Sequence, residues 1–233
     1  MRTAVLIATI FTTLNISCAT GQKNSAPNDT DMNNQLKNGT NIFFENKTIN
    51  ADLNFTSLLQ PVVESNGINR CYINSAITFK QCTFKGKLTG YVTDESGKST
   101  MTYFQKSVAF IDCIFEDDVI LRGAIFSAPA NFQGCSFVKK ADFQESHFYT
   151  DAFFNETKYR EEAYFQNAVF AKKIIFMNSR FESNVYFQNA TFYFDSQFSN
   201  AEFQKYADFT VCTFQMGVFF NYCKFQQQAI FNS

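Results

Sequence analysis

The sequence predicts an all-β solenoid, a parallel β-helix of four short sides with about 22 residues per coil. Three observations predict it. Phe is in large excess, 31 of 233 residues, while Trp is absent. From Phe104 onward the aromatic positions fall alternately six and five residues apart, and 22 of 24 successive positions are Phe, with Leu121 and Tyr159 in the other two. Two residues before each position sits a small or modest apolar residue, as in Ala130, Cys135, Ala141, Ser146 and Ala152.

Each observation removes an alternative. Residues two apart point the same way on an extended chain, so every small-x-Phe unit turns one small and one large side chain inward. Spacings of five and six scatter around a helix of 3.6 residues per turn and give no apolar stripe. Units of five leave no room for paired antiparallel strands and their turns. Two 11-residue double units make one coil, and coils stack as parallel ladders ~4.8 Å apart. The inner column then runs through Phe132, Phe143, Phe154, Phe165, Phe176, Phe187, Phe198 and Phe209. The corners carry Asn167 above Asn189 and Asn178 above Asn200, a residue type that tolerates left-handed backbone.

Upstream the register continues loosely. Phe44, Ile49 and Phe55 keep the spacing, as do Phe79 and Phe84, but Thr56–Tyr72 and Gly86–Thr102 break it. Residues 42–103 are therefore expected to be irregular first coils with two insertions, Thr56–Tyr72 supplying the N-terminal cap that a solenoid needs. Residues 104–233 are the regular β-helix.

With Ala141-Asp142-Phe143, Asn189-Ala190-Thr191-Phe192 and Ala207-Asp208-Phe209 in view, the chain resembles the pentapeptide-repeat family, in particular its Phe-rich variant with an 11-residue double unit. The resemblance implies a right-handed quadrilateral β-helix. It departs from a strict five-residue repeat by one extra residue in every second unit.

The N-terminal stretch reads as an export signal. Arg2 precedes the apolar run Ala4–Phe11, which is too short to span a bilayer. Residues 1–17 are taken as a signal peptide. Cys18 follows Leu14-Asn15-Ile16-Ser17 and resembles the lipidated Cys of bacterial lipoproteins, although Asn15 stands where an aliphatic residue is usual. Ordinary cleavage after Ala19 is the alternative. Residues 18–41 are polar, without periodicity, and are expected to be a flexible tether. The chain is expected to be exported and held to the outer membrane, on its periplasmic or its cell-surface side, through that lipid alone.

The chemistry-bearing residues are sparse. The single His147 offers no nucleophile–base pair, there is no Gly-rich phosphate loop, and no CxxC spacing suggests a metal. No enzyme activity, cofactor or metal is expected. Cys82, Cys113, Cys135, Cys212 and Cys223 occupy the small inward slot, where a free thiol acts as a small hydrophobe. Cys71 and Cys82 could pair near the first coils. Lys158, Arg180, Glu202 and Lys224 form an outward charged column, read as a solvated face.

Surface readings follow from the same register. Tyr164, Tyr186, Phe153 and Ile175 each precede an inward Phe, so they face outward; the favoured reading is a β-propensity ladder that stiffens the wall, and the alternative is a surface that binds a sugar, a peptide or another subunit. The favoured function is a structural or protein-interaction scaffold at the cell envelope, with an envelope protein or a glycan as partner. Some members of the family resemble duplex DNA and bind topoisomerases. That role needs a strongly acidic rod, whereas residues 104–233 carry 14 acidic and 11 basic side chains, so it stands only as a remote alternative and no nucleic-acid partner is expected. The sequence ends within the repeat at Phe231-Asn232-Ser233, so either a homodimer forms through the C-terminal coil, the favoured expectation, or the chain continues in the native protein.

Overall fold

A computed structural model describes residues 29–232, with side chains from residue 31. The signal segment and Cys18 lie outside the described residues. The chain winds through four parallel sheets that form the walls of a rod. The first wall runs from Ile42–Glu45 to Val218–Phe219, the second from Thr48–Ile49 to Lys224–Phe225, and the third from Leu53–Asn54 to Ala229–Ile230. The fourth starts at Val62–Val63 and ends at Thr213–Phe214. Most strands are two residues long, so each wall is a stack of single rungs.

The coil length is read directly from the ladder. In the regular region Val108 pairs with Ala130 and Ala130 with Ala152. The same step of 22 residues separates Thr157 from Ser179, whose hydroxyls meet at 3.0 Å inside the rod. The step is 35 in the first coil (Ile42 with Ile77, Asn41 with Ala76). It is 31 in the second (Ile77 with Val108, Lys85 with Glu116). Both insertions fall at the corner between the third and fourth walls, where a long excursion adds little closure entropy. Within the segments expected as insertions, Asn69–Ile73 and Ser99–Phe104 return to the fourth wall as parallel rungs. The first excursion holds a 3-10 turn, Phe55–Ser57, and the antiparallel strand Val62–Val63; the second is a hairpin pairing Tyr91–Thr93 with Ser99–Met101. Arginines fasten both to the rod. Buried Arg70 donates to Gly123 O at 2.8 Å and meets Glu64 at 3.4 Å, and Arg122 lies 5.7 Å over the Tyr91 ring.

The alternation of five and six has a local cause. In the five-residue intervals the backbone closes a four-residue β-turn, such as Ser146 N to Phe143 O and Ala168 N to Phe165 O. The third residue of these turns is left-handed, with φ of 57° at Glu145 and at Asn167, the arrangement of a type II turn. The positive-φ residues Gly123, Glu145, Asn167, Asn189 and Val211 recur once per coil, as do Gly134, Glu156, Asn178, Asn200 and Tyr222. The expected Asn corners are among them. The six-residue intervals are the open bends between these tight turns.

The interior is a stack of aromatic rings. Phe143 and Phe165 stack at 5.3 Å and 3°, Phe165 and Phe187 at 4.9 Å and 7°, and Phe154 and Phe176 at 5.1 Å and 16°. Neighbouring columns meet edge to face, as Phe165 meets Phe176 at 83°. All eight named core phenylalanines are buried. The small slot beside them is also polar on demand. Ser179 Oγ, Cys135 Sγ, Cys212 Sγ and Cys223 Sγ each donate to the carbonyl of the Phe 25 residues earlier, at 2.7, 3.2, 3.0 and 2.8 Å. That shared bond is why Cys and Ser interchange there, while Ala fills the same small volume without it.

Two expectations are corrected, and one pairing that the sequence left open is answered. Residues 29–37, expected to belong to a tether, form helix α1 (Asp29–Lys37), which lays Met32 and Leu36 on the first coil at 2% and 1% exposure. Left-handed Gly39 stops it, with Gly39 N donating to Leu36 O. The capping role expected of Thr56–Tyr72 is therefore shared: α1 packs against Ile42–Glu45, and Leu58 of the excursion is buried beside Phe55 in the same core. Cys71 and Cys82 do not pair. Both are free, and Cys71 Sγ donates to Thr56 O at 3.1 Å while Cys82 Sγ faces Lys80 O at 3.3 Å.

Candidate functional site

The outward residues singled out from sequence divide between two walls. Tyr164 and Tyr186 are ladder partners on the third wall, and Phe153 and Ile175 are partners on the first. The first and third walls are not neighbours around the coil, so the four side chains do not form one surface. Each pair owes its position to the residue following the small slot, which the pleat turns outward.

On the third wall the outward column reads Asp142, Tyr164, Tyr186, Asp208. The two tyrosine rings stack at 5.3 Å and 16°, and Tyr206 closes in at 6.2 Å on Tyr186. Their facing surfaces are thus spent on each other, and what they turn outward is edges and hydroxyls. Burial pushes the Tyr164 phenol upward, with Glu162 adding to it. The column is bracketed by carboxylates that are themselves nearly buried. Asp142 is engaged by Arg122 at 3.4 Å, Lys140 at 4.0 Å and the Gln144 amide N–H at 3.1 Å. Asp208 Oδ2 accepts from Tyr206 OH and Gln188 Nε2, both at 2.7 Å, and its Oδ1 from Thr210 N at 2.9 Å. Burial alone would raise the Asp208 carboxyl, but these hydrogen bonds hold it below the usual carboxylate range. Each carboxylate is satisfied by its own wall, so the column is a rigid polar brace rather than an acid–base pair.

On the first wall Phe153 and Ile175 are half-buried between Asn131 and Gln197. They form the cross-strand apolar contact that suits a pleated surface.

The expected charged column is more connected than a row of solvated charges. Lys158 meets Glu182 at 3.0 Å, and Arg180 meets Glu182 and Glu202, both at 3.2 Å. His147 lies on the fourth wall, half-buried, its Nδ1 3.1 Å from Glu145 O. The thiols line the small inward slot of the rod, Cys212 and Cys223 only partly buried. The neighbouring Cys135 thiol is the main cause that pushes Cys113 up to about 12, and burial does the same for Cys212.

Two further exposed regions lie on the rod, the C-terminal coil that the sequence already marked and a fourth-wall column that it passed over. The last described coil turns core-slot rings to solvent: Phe225 and Phe231 are 36% and 51% exposed, each stacked on one side only, by Phe203 and Phe209. On the fourth wall, Tyr149 and Tyr193 are exposed in the column just past the inward Phe. The repeat contains the signal for that column, since it also recurs once per coil.

Pentapeptide repeats, as a family of nine copies, match the chain over residues 110–158, 143–191 and 165–213. No curated protein and no solved structure matches it.

Proposed function

We propose that this chain, whose residues 110–213 are pentapeptide repeats, is a non-enzymatic interaction scaffold of the Phe-rich kind, exported and held at the cell envelope by a lipid on Cys18. One observation carries the scaffold reading. From Val108 to Ile230 every outward side chain is set by a backbone ladder of fixed period, and many of those side chains are already tied along the wall. Such a surface is ordered before any partner arrives, so binding costs little further side-chain entropy. The anchor is supported by Arg2, the apolar run Ala4–Phe11 and Cys18.

Photo-reactive side chains placed one at a time at outward positions of each wall, in intact cells, test the scaffold. A scaffold yields cross-links to the same protein from one or two walls. No cross-links from any wall, or a catalytic activity lost on changing a wall residue, removes it. Incorporation of labelled fatty acid, abolished by Cys18→Ala, tests the anchor; unchanged incorporation in the variant removes it.

We further propose that a second copy covers the last described coil. Its exposed Phe225 and Phe231 rings repeat the cross-section of the rod, so two such ends can stack ring on ring. Light scattering that gives a dimer, converted to monomer by Phe231→Glu, supports this. A monomer at all concentrations contradicts it.

A further inference from the structure

The fourth wall carries a second outward column, one residue beyond each inward Phe. Its members follow one another by single rungs: Ser127 N donates to Phe104 O, Tyr149 N to Phe126 O, Ala171 N to Phe148 O, Tyr193 N to Phe170 O and Gln215 N to Phe192 O. Tyr149 and Tyr193 are 49% and 41% exposed, and Ala171 lies between them. Wherever an outward column of this rod holds aromatics on successive rungs, the rings stack. Tyr164 and Tyr186 do so at 5.3 Å and 16°, and Tyr72 and Tyr103 at 5.1 Å and 27°. In the Tyr149–Ala171–Tyr193 column the middle ring is missing. Two rungs of ~4.8 Å set the backbones of the flanking tyrosines ~9.6 Å apart, with the Ala171 methyl group between them.

We propose that this slot binds one pyranose unit of a glycan chain, held between Tyr149 and Tyr193. A planar ring stacked on one tyrosine leaves a gap to the other across two rungs. A chair is thicker and presents C–H groups on both faces, so it meets both tyrosines, while its hydroxyl rim needs polar partners at the sides. The sides supply them. Lys172 is exposed on the same rung as Ala171, its ammonium drawn 4.4 Å from the Phe194 ring, beside Tyr193. His147 lies on the opposite flank, 6.3 Å from the Tyr149 ring. An apolar seat with a few polar groups at its rim is the usual make-up of a small-ligand site. Tyr164 and Tyr186 cannot serve in this way, because their facing surfaces are closed on each other. The proposal goes beyond the scaffold reading, which needs no ligand.

The test uses the full chain and three soluble hexasaccharides: chitohexaose, cellohexaose and hexagalacturonate. Calorimetric titration is expected to give saturable binding with at least one of them. Neutral and uronate sugars separate a role of Lys172 toward hydroxyls from one toward a carboxylate. Tyr149→Ala and Tyr193→Ala each weaken that binding about tenfold or more. Ala171→Tyr completes the ladder, so it abolishes binding while leaving the melting temperature unchanged or raised. Tyr186→Ala leaves binding unchanged. No binding to any of the three overturns the proposal. So does binding that survives both Tyr149→Ala and Tyr193→Ala, or binding that is lost in Tyr186→Ala alone. Should Ala171→Tyr fail to fold, the two alanine variants decide.

Discussion

Truncating Phe176 to Ala removes a ring that touches five others. It stacks on Phe154 and on Phe198, both at 5.1 Å, meets Phe165 and Phe187 edge to face, and leans on Phe181. Its exposure is 0%. Transfer of the side chain from water is worth ~2–3 kcal/mol, and each lost stacking contact adds ~0.5–1.5 kcal/mol. The rungs above and below are pinned by the ladder, so the cavity cannot collapse. The cost should lie near the top of the usual ~3–5 kcal/mol for a buried Phe. For a chain of this size that is a fall of about 10–15 °C in melting temperature. Phe231 is the matched control: same residue type and same repeat slot, but 51% exposed and stacked on one side. Phe231→Ala should cost ~1 kcal/mol. Thermal and urea unfolding of the two variants, followed by circular dichroism, reads the difference. Equal losses would refute the reasoning, because slot identity rather than burial would then set stability.

Other predictions come from places where the repeat is broken. Tyr159 sits in a Phe slot with its hydroxyl buried and, among the described residues, without a hydrogen bond; the nearby Thr157 hydroxyl donates to Phe154 O at 2.6 Å. Tyr159→Phe should therefore stabilise by ~1–2 kcal/mol in urea unfolding, and a loss of stability would show that the hydroxyl has a partner. Val211 holds φ at 57°, a conformation costly for a β-branched residue, and is 52% exposed, so Val211→Asn should gain about 1 kcal/mol with no packing loss. A drop in melting temperature would contradict that. The Cys113 and Cys212 thiols ordinarily titrate at 9.0 and are pushed up to about 12 in the fold. The folded chain keeps these protons where the unfolded chain loses them. Stability from this source is full below pH 9 and should fall as pH rises from about 9 to 12, and a melting temperature flat over that range would contradict it.

The rod was legible in the sequence because its core uses one residue type at a fixed interval. The paired spacing of five and six even carried the turn chemistry, since Asn167, Asn178, Asn189 and Asn200 all take left-handed backbone. Val211 and Tyr222 take it too, against their intrinsic preference, because each sits third in a closed turn, with Cys212 N donating to Phe209 O and Cys223 N to Phe220 O. Helix α1 was hidden because its buried face consists of only Met32 and Leu36, four residues apart in a polar stretch. The four outward-read residues lie half-buried on the walls, but sequence position alone grouped Tyr164 with Phe153, which the coil puts on different walls. The Tyr149–Ala171–Tyr193 slot was missed for a related reason. It is defined by a ring that is absent, and absence shows only when three rungs are aligned.

The central claim is that each regular coil advances the chain by one rung, so that a fixed step in sequence is a fixed step along the rod. Glu116, Glu182, Gln204 and Gln226 follow inward aromatics on the second wall, and their amides donate to carbonyls one rung before. Spin labels at 116 paired in turn with 182, 204 and 226 measure the advance by electron–electron dipolar spectroscopy. The account predicts backbone separations of ~14, ~19 and ~24 Å, rising by one rung of ~4.8 Å with each coil. Distances that do not rise in equal steps of that size would contradict it.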